Sequence, residues 1–244
     1  MYSSLPGPIG IFDSGYGGLT VFDKIRERMP AYDYIYLGDN ARAPYGPRSF
    51  DVVYRFTRQA VMRLFAEGCQ LVILACNTAS AKALRTIQQR DLPVWDETRR
   101  VLGVIRPTVE LMNRISRSKH VGVVGTAGTI ASGSYQIEIA KMFPHIQVTS
   151  EACPMWVPLV ENNEFDSHGA DYFVRKYLDE LFRKDPLIDT LILGCTHYPL
   201  LIEKIRRYVP TGVTLLPQGE YVASSLEDYL YRHPEMDRKL TKGG

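Results

Sequence analysis

Two short stretches of this chain repeat one another. Leu71-Val-Ile-Leu-Ala-Cys76-Asn-Thr78 and Thr190-Leu-Ile-Leu-Gly-Cys195-Thr-His197 share one plan: an apolar run of strand length, a small residue, a cysteine, then polar residues leading into a helix-forming stretch. An apolar run without polar alternation is a strand buried on both faces, as in a parallel sheet covered by helices. Two copies of one strand-Cys-helix unit restrict the chain to an α/β fold with a duplicated architecture. In open sheets of this kind, ligands bind beyond the carboxyl ends of the strands. Both cysteines stand at that end.

The rest of the chain keeps the alternation. Strands are expected at 9–12, 34–37, 71–75 and 101–105, and in a second series at 121–125, 147–150, 190–193 and 213–216. Helices are expected between them, at 17–28, 49–67, 78–89, 108–116, 132–143, 170–183, 200–208 and 219–231. The clearest is 49–67, where Val52, Val53, Phe56, Ala60, Leu64 and Phe65 recur at helical spacing. Strands alternating with helices imply parallel sheets flanked by helices. The expected fold is two similar parallel-sheet α/β domains related by pseudo-two-fold symmetry, with the active site in the cleft between them. Residues 1–100 with 211–232 would form a discontinuous first domain and 101–210 the second. A polar tail, 233–244, is expected to fray.

Composition narrows the function classes. A chain of 244 residues with 45% hydrophobic and 23% charged residues has the makings of a soluble globular core. The net charge is +2, and the basic residues are scattered rather than gathered into a nucleic-acid stripe. The first residues lack the basic and apolar regions of a signal peptide, and no apolar run approaches membrane-spanning length. The expected setting is therefore the cytoplasm, with neither nucleic acid nor membrane as partner. The four cysteines, Cys69, Cys76, Cys153 and Cys195, form no CxxC pair and no zinc spacing. In a reducing compartment each is a free thiol, either a small core residue or a reactive group.

The paired cysteines suit one chemistry in particular. Inverting an α-carbon needs a base on one face and an acid on the other. Two thiols with an ordinary pKa near about 8.5 can exchange those roles close to neutral pH. A helix N-terminus after each cysteine would favour the thiolate, and the pair would titrate as a coupled set. A lone strand-end cysteine is more often core than catalytic. Two in matching contexts shift the balance to function. Other candidates surround them. The loop Asp13-Ser14-Gly15-Tyr16-Gly17-Gly18 offers backbone N–H groups to an anion, and it lacks the GxGxxG and Gly-Lys-Ser/Thr patterns of nucleotide loops. Asp13 could orient a thiol or hold an ammonium group, or simply cap a helix. Asn77, Thr78, Thr196 and His197 stand beside the thiols. Gly125-Thr126 opens a third strand-end loop. Pro44-Tyr45-Gly46 reads on composition as an ordinary turn, and Glu161 as a surface acid.

In this order the motifs resemble the glutamate racemases of the aspartate/glutamate racemase superfamily. They run Gly10-Ile-Phe-Asp-Ser-Gly-Tyr-Gly-Gly-Leu-Thr20, Gly38-Asp39, Pro44-Tyr-Gly46, Ala75-Cys-Asn-Thr-Ala-Ser80, Gly125-Thr126, Cys153-Pro154, Pro158-Leu-Val-Glu161 and Leu193-Gly-Cys-Thr-His-Tyr-Pro-Leu200. They span nearly the whole chain. The resemblance implies that Cys76 and Cys195 are acid/base thiols, assisted by Asp13, His197 and Glu161. It implies substrate contacts from Asp13, Ser14, Tyr45, Gly46, Asn77, Thr78, Thr196 and His197, to which the loop reading adds Thr126. It implies interconversion of L- and D-glutamate without pyridoxal phosphate, other cofactor or metal. It also implies supply of D-glutamate for peptidoglycan, and a homodimer. By the same resemblance Cys195 deprotonates L-glutamate and Cys76 D-glutamate.

The sequence departs from the family pattern at Arg106, in the segment 96–100 and at Leu216-Pro-Gln-Gly219, all away from the thiols. Three rival readings remain: a racemase for aspartate or another amino acid, a thiol hydrolase using Cys195 and His197, and a non-enzymatic binding protein.

Overall fold

A computed structural model describes residues 5–243. All eight expected strands form, as two four-stranded parallel sheets. The first contains β1 (Ile9–Asp13), β2 (Tyr34–Gly38), β3 (Leu71–Leu74) and β4 (Arg100–Gly103), in the order β2-β1-β3-β4. The second contains β5 (His120–Gly125), β6 (Gln147–Ala152), β7 (Thr190–Gly194) and β8 (Thr214–Leu216), in the order β6-β5-β7-β8. The two orders are the same, and β3 and β7, which carry the repeated motif, hold equivalent places in them.

Alternation along each strand explains why the runs are continuously apolar. In the first sheet Ile9, Ile11, Leu71 and Ile73 pack with Val222, Leu226 and Leu230 of the helix Gly219–Arg232. Their neighbours Phe12, Val72 and Leu74 pack on the opposite face with Val53, Val61 and Leu64 of the helix Phe50–Ala66. Successive strand residues point to opposite faces, so a sheet covered on both sides needs apolar residues at every position. Each such side chain contributes roughly 1.5–3 kcal/mol over exposure. In the second sheet Leu191 and Leu193 pack with Val174, Leu178 and Leu181 of the helix His168–Lys184.

The chain divides into two compact units. One holds the described residues up to Val104 together with those from Gly219 onward; the other is Ile105–Gln218. The first unit is discontinuous, but its boundaries differ from those expected. Residues 211–218 belong to the second unit because β8 pairs with β7, with Leu216 opposite Ile192. Residues 101–104 belong to the first because β4 pairs with β3.

The tail also differs. The described residues 233–243 are packed rather than frayed: Met236 and Leu240 are buried in the core of the first unit. The amide of Gly7 donates to Lys239 O, and that of Thr241 donates to Gly7 O. Two apolar residues on a short helix, Pro234–Asp237, and the turn after it are enough to hold the segment down. Two further expectations shift locally. Helix 108–116 forms as two short pieces, Ile105–Val109 and Met112–Ile115. Helix 78–89 begins at Asn77 and passes through a π-turn, Ile87–Asp91, to end at Trp95.

Candidate active site

In the first unit the carboxyl ends of β1 and β3 lie side by side, Phe12 opposite Leu74. At and just past these ends stand the buried residues Asp13, Ser14, Cys76, Asn77 and Thr78. Asp13 is wholly buried, and its Oδ1 accepts from the amide of Gly15 at 3.0 Å, which shapes the loop. The helix Leu19–Arg28 begins right against it. A Cβ on Gly18 would stand 2.3 Å from Asp13 Cβ and 2.8 Å from the Tyr36 hydroxyl, so only glycine fits there.

Cys76 caps the helix Asn77–Lys82. Its Sγ accepts from the amide of Ala79 at 3.5 Å and lies 3.4 Å from Ser14 Oγ. These hydrogen bonds favour the thiolate, as expected from the helix N-terminus. Burial outweighs them, helped by the neighbouring Asp13 carboxylate, and the Cys76 thiol is pushed up to about 11. The expected thiolate preference is thus reversed at Cys76. Cys76 therefore rests as the acid at neutral pH.

Tyr45 and Gly46, read from composition as a turn, are buried beside this group. Tyr45 packs in the same cluster as Phe12 and Cys76, and its hydroxyl donates to Asp39 Oδ2 at 2.5 Å. Asp39 also accepts from Arg42 Nε at 2.7 Å, and its amide donates to Asp13 O. Asp39 and Tyr36, whose hydroxyl donates to Gly15 O at 2.7 Å, thus brace the loops around Asp13. Gly38-Asp39 was visible as a motif, but nothing in it indicated this bracing. Tyr36 sits within a strand, where a tyrosine gives no signal of function.

In the second unit Gly125 of β5 lies opposite Gly194 of β7. Thr126 and Cys195 therefore follow adjacent strand ends. Thr126 caps the helix Ala127–Ala131 through the amide of Thr129 at 3.3 Å. Cys195, Thr196 and His197 are buried. No helix starts directly after Cys195: a 3-10 turn, Tyr198–Leu201, precedes the helix Ile202–Tyr208. The partner at hand is instead an imidazole, with His197 Nδ1 3.8 Å from Cys195 Sγ.

The other nitrogen of that ring, Nε2, meets Glu161 Oε1. A carboxylate only accepts hydrogen bonds, so Nε2 carries its proton there and Nδ1 is left facing the thiol. Glu161, read alone as a surface acid, is therefore the end of a carboxylate–imidazole–thiol line. It reaches this place on the helix Trp156–Glu161, which no periodicity announced. Pro158 sits in the first turn of that helix, where the missing N–H would have no intrahelical partner anyway.

Of the remaining cysteines, Cys69 lies in the core with Phe65 and Cys153 packs in the same cluster as Cys195. Burial raises Cys69 to about 12 and Cys153 well above the ordinary thiol range. Among the described residues no cluster of three or more His, Cys, Asp or Glu side chains is arranged to hold a metal ion, and no helix is long and apolar enough to cross a membrane.

Comparison with known proteins identifies the family. Residues 9–223 match the family model of the Asp/Glu/hydantoin racemases. A glutamate racemase of Roseobacter denitrificans is 44% identical over 93% of this chain and 87% of its own length. The crystal structure of a Bacillus anthracis glutamate racemase matches with a TM-score of 0.86 at 37% identity, over 93% of this chain and 82% of that one. A Francisella tularensis glutamate racemase, solved in complex with D-glutamate, matches with a TM-score of 0.84 at 33% identity, over 94% and 82% of the two chains. The chain thus belongs to the Asp/Glu/hydantoin racemase family and is an amino-acid racemase of its glutamate racemase branch.

Proposed function

We propose that this chain interconverts L- and D-glutamate by moving the α-proton between two thiols, with no added cofactor. One observation carries the proposal: Cys76 and Cys195 follow the ends of equivalent strands, and each has its own proton-handling neighbours. One thiol acts on each face of the α-carbon. Taking L-glutamate first, Cys195 gives its proton to His197 and removes the α-proton as thiolate. The Cys76 thiol then delivers a proton to the other face. The charge left on Cys76 is the base for the reverse reaction, with Asp13 beside it to take up or return a proton. Asp13, Ser14, Tyr45, Gly46, Asn77, Thr78, Thr126, Thr196 and His197 bind the substrate through backbone amides, hydroxyls and the carboxamide. Glu161 holds His197 in the tautomer that accepts from the thiol. The setting is a cytoplasmic homodimer that supplies D-glutamate for peptidoglycan. Family membership supports these finer readings.

The substrate assignment is tested by polarimetry on L-glutamate and L-aspartate at equal concentration. Glutamate is expected to lose optical activity at least about a hundredfold faster, because hydrogen-bonding sites discriminate strongly by substrate length and charge placement. Equal or faster loss with aspartate would make the chain a racemase of different substrate.

The line Cys195–His197–Glu161 also has the form of a nucleophile, base and orienting acid, which favours a thiol hydrolase as the second reading. That reading leaves Cys76 and its neighbours idle.

A further inference from the structure

We propose that Gln218 is a positioning residue for proton transfer at Cys195, acting through the ring of Tyr135. The proposal rests on the two-thiol reading above and adds a residue to it. The chain passes between its two units at Val104–Ile105 and at Gln218–Gly219. Gln218 is the last residue of the second unit, and its side chain turns into that unit's interior, where it is 3% exposed. Its Nε2 donates to Thr108 Oγ1 and to the Tyr135 hydroxyl, both at 2.8 Å. Thr108 lies on the helix Ile105–Val109, the first element after the other passage. One carboxamide therefore ties both passages to a single aromatic ring.

That ring bears on the residue before Cys195. A Cβ built on Gly194 would stand 3.2 Å from Tyr135 Cε2 and 2.9 Å from the carbonyl oxygen of Val124. The backbone at Gly194 is thus held closely between the neighbouring strand and the tyrosine ring. Tyr135 is 1% exposed on the helix Ser134–Met142. A hydroxyl buried so deeply is costly without a hydrogen bond, and Gln218 supplies one. Two residues earlier, Leu216 pairs with Ile192 on the strand that Cys195 follows. Gln218, Tyr135 and Gly194 form a continuous brace, and the position of the Cys195 thiol relative to an α-carbon follows from it.

The test uses Gln218→Leu, Tyr135→Phe and the double variant, with racemisation followed from each enantiomer and from each α-deuterated enantiomer. A displacement of the order of 1 Å at a reacting group costs up to about a hundredfold in rate, and a partial one less. Gln218→Leu is expected to lower kcat about tenfold with KM held within about twofold. Slower transfer at Cys195 makes that step more rate-limiting for the enantiomer it deprotonates and makes the Cys76 step less so for the other. The deuterium effect therefore rises from L-glutamate and falls from D-glutamate. Tyr135→Phe removes one oxygen atom and moves both effects the same way with smaller amplitude, and it serves if Gln218→Leu fails to fold. The double variant is no slower than the slower single one. Unchanged kcat, or a lower kcat with both deuterium effects as in the wild type, overturns the proposal. A wild-type chain that leaves glutamate untouched overturns instead the two-thiol reading on which it rests.

Discussion

Replacing Cys76 by alanine is expected to reduce racemisation from either enantiomer by about a thousandfold or more, the scale on which a positioned acid or base acts. The reason is the geometry of inversion. The proton leaves one face and another arrives on the opposite face, so losing either thiol stops both directions together. The loss should come with a residue of chemistry. Cys195, with His197 3.8 Å away, still removes the α-proton of L-glutamate; with no acid on the other face to quench the carbanion, the thiol has time to exchange its proton with solvent before returning one to the same face. In deuterated water L-glutamate should slowly lose its Cα–H signal while its handedness survives. Cys195→Ala should give the mirror result, exchange of D-glutamate without inversion. Proton NMR with polarimetry on both variants reads both quantities at once. Because Cys76 sits in a packed cluster with Phe12 and Tyr45, thermal melting accompanies the assay to separate lost chemistry from lost fold. Full racemisation by Cys76→Ala would mean that a group other than Cys76 serves the second face.

The second large effect is expected at His197. Asparagine there keeps a polar group where Nδ1 faces Cys195 but cannot take its proton, and it is too short to reach Glu161. We expect kcat to fall about a hundredfold, with KM little changed, because the lost interaction belongs to proton transfer. Glu161→Gln should cost less. It keeps an acceptor oxygen toward Nε2 and removes only the negative charge that stabilises the imidazolium once the thiol proton has moved. Steady-state kinetics from both enantiomers measures the pair. If His197→Asn keeps kcat within a factor of about two, the carboxylate–imidazole–thiol line is structural and Cys195 finds its base elsewhere.

Much of this site could be read in the sequence because strand, small residue and cysteine are adjacent along the chain. The duplicated motif placed Cys76 and Cys195 at strand ends, and the sheets put those strands in equivalent places. Asn77, Thr78, Thr196 and His197 came with them, being neighbours in sequence, and Asp13 and Ser14 were visible in their own strand-end loop. What could not be read depends on contacts between distant segments. Asp39 matters through Tyr45 and Arg42, which lie on the next loop. Glu161 had to be carried to His197 by a helix too short and too apolar to show periodicity. Gln218 lies in a Pro-Gln-Gly stretch whose sequence indicates no partner, and its partners Thr108 and Tyr135 are remote in the chain.

The electrostatics at Cys76 failed for a related reason. A helix N-terminus is visible in sequence, but the degree of burial that overrides it is not. The same holds for the tail. Polar composition suggested fraying, whereas Met236 and Leu240, two apolar residues among many polar ones, anchor it. The boundary near residue 218 followed from strand pairing, since β8 joins β7 by a register that propensity alone does not specify.

The central claim is that two thiols, one for each face, carry the proton. Its most direct test is the racemisation of L-glutamate by the wild-type chain in deuterated water, stopped after a small fraction of turnover, with each enantiomer then analysed for label. A thiol that has taken one proton holds only that proton, so a return to the same face restores unlabelled L-glutamate. Delivery from the other thiol, already exchanged with solvent, gives D-glutamate carrying deuterium. The account predicts label in essentially all of the D-glutamate formed and almost none in the remaining L-glutamate. Label appearing equally in both from the start would mean one base serving both faces, and would contradict it.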